Sequence, residues 1–149
     1  MASRKVAIAD LKISPLGKKY VNQVLDSNRL SYGPFTQKFE REFGKIHSRK
    51  FVSVSNSGTS ALQVAVHALK ETYQWDDGDE ILVPAITFIA SSNVVLHNNL
   101  KPVFVDVEPD HYCIDPAKIE EKITPKTRAI MPVHLFGQSA DMDPILAIA

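Results

Sequence analysis

Residues 51–69 read FVSVSNSGTSALQVAVHAL, and this stretch decides the fold. Phe51-Val52-Ser53-Val54-Ser55 has the pattern of a short strand, and Asn56-Ser57-Gly58-Thr59 that of a small polar turn. Ser60 to Leu69 then reads as a helix that is apolar on nearly every side. Such a helix has to be covered, and the residues that follow supply the cover. A turn at Asp76-Asp77-Gly78-Asp79 leads into the strand Glu80-Ile81-Leu82-Val83. Phe88 to Leu96 reads as a helix, Pro102 to Val107 as a strand, and Arg128 to His134 as a fourth strand. Asp115 is placed to cap a helix with Pro116 in its first turn and with Ile119 and Ile123 facing inward. Pro144 opens a last helix. Strands separated by helices at intervals of roughly 25 residues imply βαβ crossovers. The expected fold is therefore α/β, a mostly parallel sheet with helices on both faces.

Upstream the pattern differs. Leu16, Tyr20, Val21, Val24 and Leu25 recur on one face of a helix behind Pro15. Phe35, Phe39, Phe43 and Ile46 do the same behind Pro34, with polar residues opposite. The expected organisation is a helical segment over residues 1–50 followed by an α/β region over residues 51–149. No helix-to-strand unit closes the chain after Pro144, so the sequence reads as the front part of a longer protein.

Composition narrows the function. The 149 residues carry 17 Lys+Arg against 17 Asp+Glu and one cysteine, Cys113. Zero formal charge removes the basic field that non-specific nucleic-acid binding needs. A lone cysteine excludes a disulfide framework and a cysteine-based zinc site. No apolar run approaches the length of a membrane span, and the N-terminal MASRKVAIAD lacks an export signal. The expectation is a cytoplasmic protein with neither nucleic acid nor membrane as partner, and with no metal.

In an open parallel sheet, ligands gather beyond the carboxyl ends of the strands. The first exit, Ser55-Asn56-Ser57-Gly58-Thr59-Ser60, runs directly into a helix. Free amides, the positive end of the helix dipole and the hydroxyls of Ser57, Thr59 and Ser60 suit a phosphate there. The alternative is an ordinary capped helix entry in which the hydroxyls only satisfy the first amides. Phe88, at the next exit, either offers a ring face to a flat ligand or packs with Ile86 and Ile89. Asn93 either points at the same crevice or caps a neighbour, and His134 is either an acid–base group or a satisfied strand-end histidine. Asp106 reads as a cap on its strand exit. Tyr32-Gly33 marks a loop that either reaches over the crevice or simply turns.

Taken in order, these blocks resemble a known family. Leu30-Ser31-Tyr32-Gly33-Pro34 precedes Val54-Ser55-Asn56-Ser57-Gly58-Thr59-Ser60, then Gly78-Asp79-Glu80-Ile81-Leu82-Val83-Pro84 and Thr87-Phe88-Ile89-Ala90-Ser91-Ser92-Asn93. Pro102-Val103-Phe104-Val105-Asp106-Val107 and Pro132-Val133-His134-Leu135-Phe136-Gly137 complete the series. From about Leu11 onward it is similar to the N-terminal part of the DegT/DnrJ/StrS sugar-nucleotide aminotransferases. The resemblance implies part of the large domain of fold type I and the cofactor pyridoxal 5′-phosphate. It implies that Gly58, Thr59 and Ser60 hold the cofactor phosphate and that Phe88 stacks on its ring. Tyr32, Gly33, Asn93 and His134 would line the crevice near the substrate.

The resemblance also implies a homodimer and a role in amino-sugar and polysaccharide biosynthesis. An amino acid, glutamate by implication, would donate its amino group to a nucleotide-linked keto-sugar. The aspartate that pairs the pyridinium nitrogen and the Schiff-base lysine are expected beyond Ala149, so this chain alone is expected to be inactive. Two rivals stand beside the transaminase. One is a sugar dehydratase or deoxygenase relative with the same cofactor, and the other a non-catalytic α/β module.

Overall fold

The computed structural model describes residues 11–149; the N-terminal stretch read above for an export signal lies outside them. The chain divides into two compact units, the division falling between Val54 and Ser55.

The first unit contains α1 (Pro15–Asp26) and α2 (Pro34–Ile46). The Ser14 hydroxyl caps α1 by accepting from the Gly17 amide at 3.0 Å, and Pro15 and Pro34 each occupy a first turn, where a missing N–H costs nothing. Rings of Tyr20 and Phe35 lie 5.4 Å apart, and Phe39 stacks on Phe43 at the same separation. After α2 the chain doubles back, the Arg49 amide donating to the Gly44 carbonyl at 2.7 Å. A Cβ on Gly44 would sit 2.7 Å from the Arg49 carbonyl oxygen, so only glycine fits that approach.

Residues 51–55 do not form the strand expected of them. A strand is a ladder, and among the described residues nothing pairs with this one; Val54 instead donates its amide to the Glu40 carboxylate at 3.3 Å. Phe51 is left exposed.

The second unit is built on three parallel strands, β1 (Glu80–Pro84), β2 (Lys101–Val105) and β3 (Thr127–Ile130), in the order β2-β1-β3. All of β1 is buried. Leu82 faces a cluster with Val105, Ile114, Ile119 and Ile145, whereas Ile81 and Val83 face Val66, Val94, Val95 and Leu100. The helices α3 (Gly58–Tyr73) and α4 (Ala90–His97) supply the second cluster, and α5 (Met142–Ile148) the first with the segment between β2 and β3. The crossover from β1 to β2 steps one way along the sheet and that from β2 to β3 steps back across β1. Crossovers of one hand then lie on opposite faces, as these do, which confirms the expected layering.

Three element ends differ from expectation. β3 stops at Ile130; Met131 still donates to the Leu82 carbonyl at 2.8 Å, but Pro132 has no N–H to continue the ladder. Helix α4 starts at Ala90, leaving Phe88 in the turn before it. Asp115 does cap, accepting from the Ala117 amide at 2.9 Å, yet two short 3₁₀ turns follow (Pro116–Lys118, Glu120–Lys122) in place of an α-helix. With three residues per turn, Ile119 points into the core at 0% exposure while Ile123 swings out to 44%.

An ionic clamp closes the amino ends of the strands. The buried Asp79 carboxylate accepts from Arg128 Nε at 2.6 Å, and the buried Glu80 carboxylate accepts from Lys101 Nζ at 2.8 Å and the Thr124 hydroxyl at 2.6 Å. The Arg128 hydrogen bond lowers the Asp79 pKa, and the Lys101 and Thr124 bonds lower that of Glu80. Depressed folded values mean that this stability is present above the ordinary carboxylate range and is lost as pH falls through the folded pKa. Urea midpoints should therefore drop between about pH 7 and about pH 3, and Arg128→Gln should flatten that drop by lowering the neutral end only. An unchanged slope in Arg128→Gln would remove Asp79 from the account.

Candidate functional site

The helix α3 begins where an extended Ser57 (φ −158°, ψ 161°) turns the chain inward. The Ser57 hydroxyl accepts from the Ser60 amide at 3.1 Å and lies 3.0 Å from the Ser60 hydroxyl, its acceptor. Ser57 is thus the capping residue, and its hydroxyl and that of Ser60 are engaged with one another. For Ser57 this is the capped-helix alternative, while the Thr59 hydroxyl takes no part in it. The Gly58 and Thr59 amides, one turn from any intrahelical acceptor, make no hydrogen bond among the described residues, and the Thr59 hydroxyl makes none either. Two donors and a hydroxyl therefore stand open at the positive end of a 16-residue helix.

Gly58 and Thr59 line a cavity of about 700 Å³. Gly58 and Thr59 form one wall, Thr87, Phe88 and Ser91 a second, and Met131 to His134 a third. The second and third walls are the carboxyl-end exits of β1 and β3, adjacent strands of the sheet. The size lies within the roughly 300–1,000 Å³ typical of small-molecule sites. Phe88 is 71% exposed, with Ile86 at 48% and Ile89 at 65%. The three do not pack together as core, so the ring is available to a ligand. Pro84 ends β1 and the turn before α4 lifts Phe88 clear of the buried Ala90 and Ser91.

Of the residues singled out in the sequence, Gly58, Thr59, Phe88 and His134 meet at this cavity, and Ser60 is adjacent on α3. Asn93 does not line it: one turn into α4, its position follows the helix and not the exit loop. Tyr32 and Gly33 belong to the other unit. There the Tyr32 hydroxyl donates to Glu40 at 2.7 Å, a bond that raises the phenol's pKa, and Gly33 precedes α2 in an extended conformation. Asp106 stays at its strand exit, accepting from the Val107 amide at 2.9 Å. The sequence reading missed Thr87 and Ser91, whose hydroxyls lie 2.9 Å apart in the second wall. Their i, i+4 spacing across a helix start was the available signal.

Comparison with known proteins bears on this geometry. A model described as the DegT/DnrJ/EryC1/StrS aminotransferase family matches residues 12–149. A GDP-perosamine synthase of Caulobacter vibrioides is 40% identical over 146 residues, which is 97% of this chain and 38% of that protein. The crystal structure of S. venezuelae DesV, in complex with a ketimine intermediate, superposes with a TM-score of 0.78 at 39% identity over 89% of this chain and 34% of that one. An E. coli GDP-4-keto-6-deoxy-D-mannose-3-dehydratase with bound hydrated PLP superposes with a TM-score of 0.87 at 29% identity, covering 95% of this chain and 37% of that one. The chain spans about a third of the length of the relatives it matches.

Proposed function

The chain belongs to the DegT/DnrJ/EryC1/StrS aminotransferase family, and from that premise we propose that its cavity is the phosphate and ring site of pyridoxal 5′-phosphate in a sugar aminotransferase. The observation that carries the reading is the pair of unpartnered amides at Gly58 and Thr59, two residues that line one cavity with an exposed Phe88. The residues fit the cofactor by their chemistry. A phosphate dianion takes amide donors at a helix start, and a flat pyridine ring takes an aromatic face. When bound, the cofactor supplies an electron sink and carries the amino group.

The chain's own residues bind and orient. Gly58 and Thr59 anchor the anion, Ser57 and Ser60 hold the helix start rigid, Phe88 fixes the ring plane, and His134 meets the ligand from the third wall. The wider reaction we propose is transfer from an amino acid, glutamate in the first instance, to a nucleotide-linked keto-sugar. The protein is proposed to be a homodimer. Support comes from the sugar-aminotransferase names of the relatives and from exposed apolar side chains such as Leu30, Phe39 and Ile46. Among the described residues no helix is long and apolar enough to cross a membrane.

The structural similarity to a 3-dehydratase favours a second reading, in which the same cofactor site serves sugar dehydration. Residues of this cavity serve both. Production of an amino-sugar from a nucleotide-linked keto-sugar and glutamate, by a protein extended to its relatives' length, separates them.

Titration of the chain with pyridoxal 5′-phosphate, followed by its visible absorbance, tests the site. Thr59→Ala should weaken binding by about tenfold, since a hydrogen bond to a charged group contributes about 1.5–3 kcal/mol. Equal binding by both proteins would contradict the assignment.

A further inference from the structure

His134 lines the cavity, yet one side of its ring is already committed. The Ala140 amide donates to His134 Nδ1 at 3.0 Å. The loop between them is shaped for that bond. Phe136 (φ 54°) and Gly137 (φ 81°) both adopt left-handed conformations, and Gln138 donates to the Leu135 carbonyl at 2.9 Å, so the chain reverses and returns Ala140 to the imidazole. Ala140 is only 3% exposed, which leaves its amide no water to turn to. An N–H donor requires a lone pair on Nδ1, so the proton of the neutral ring resides on Nε2. Nε2 has no partner among the described residues.

We propose that His134 is a fixed one-way hydrogen-bond donor in this cavity. Its Nε2–H recognises an oxygen acceptor, a carbonyl or oxyanion of the cofactor ring or of the substrate, and it does not serve as a base. Placing a proton on Nδ1 would strand the buried Ala140 amide, so the ring is held in one tautomer by a residue outside the cavity. His134 is thus a ligand-binding residue, and Ala140 is the residue that positions it. The inference deepens the cofactor reading above and rests on it.

The full chain carrying isotope-labelled histidine provides the test. Long-range proton–nitrogen NMR correlations should show His134 pyridine-like at Nδ1 and pyrrole-like at Nε2. Adding pyridoxal 5′-phosphate should shift both the Thr59 amide and the His134 Nε2–H. A shift at Thr59 without one at His134 overturns the donor role and leaves the cofactor reading standing. No shift at either overturns the cofactor reading, and the donor role falls with it. The reverse tautomer overturns the donor role alone.

Two substitutions split the halves of the ring. His134→Asn keeps an acceptor near the Nδ1 position and loses the donor, so cofactor binding should weaken by roughly three- to tenfold while Ala140 stays protected from hydrogen exchange. His134→Gln keeps a donor near the Nε2 position and loses the acceptor, so Ala140 exchange should accelerate while binding is retained. The opposite pattern would overturn the inference.

Discussion

Leu82→Ala should lower the unfolding free energy by about 2–5 kcal/mol, the largest loss expected from any single truncation in this chain. Leu82 is at 0% exposure in the middle of β1, itself the middle strand, and its side chain joins the strand to Val105 on β2, Ile114 and Ile119 beyond it, and Ile145 on α5. Removing it leaves a hole bordered by β2, the segment between β2 and β3, and α5, each held in place by its own packing. Against a domain stability of about 5–15 kcal/mol the loss is a large fraction. Urea unfolding followed by circular dichroism measures it. Phe88→Ala is the matched control: at 71% exposure its loss should change the midpoint little. Comparable midpoint losses for the two variants would mean that the core is not where the burial places it.

Much of the architecture was legible because it depends on short-range chemistry. The Ile-Leu-Val run at 81–83 fills both faces of a sheet, and Pro15, Pro34 and Asp115 mark element starts by their own backbone and side-chain chemistry. What the sequence hid depends on partners far along the chain. Phe51 to Ser55 has a strand's composition, but a ladder needs a neighbour, and none of the described residues provides one. Ile123 was misplaced because the choice between 3.6 and three residues per turn is made where the segment packs.

The site divides in the same way. Phe88 follows the exit of β1, where this class of sheet collects ligands, but the strand expected before Gly58 is absent, so only the helix start marks Gly58 and Thr59. That Ser57 spends its hydroxyl on the helix, that Asn93 lies outside the cavity, and that a residue six positions along orients His134 all required coordinates. Ile86, Phe88 and Ile89 look like core by composition and are exposed.

The second large effect is on binding, and Gly58→Pro isolates it. Gly58 is the first residue of α3, where an N–H has no helical acceptor and proline is tolerated. Ser57 before it is extended, as a residue preceding proline must be, and a Cβ on Gly58 meets nothing within 4 Å. The substitution therefore deletes one amide donor and leaves the helix intact. Losing a hydrogen bond to a charged phosphate should cost about 1.5–3 kcal/mol, or roughly 10- to 100-fold in affinity. Gly58→Ala keeps the N–H and is the control.

The decisive measurement is the dissociation constant of pyridoxal 5′-phosphate for the unsubstituted chain and these two variants, taken where their far-ultraviolet circular dichroism coincides. Gly58→Ala should bind within about twofold of the parent chain and Gly58→Pro at least tenfold more weakly, the margin set by one charged hydrogen bond. Equal affinity in Gly58→Pro and Gly58→Ala would show that the start of α3 does not hold the phosphate, and the proposed site would be wrong.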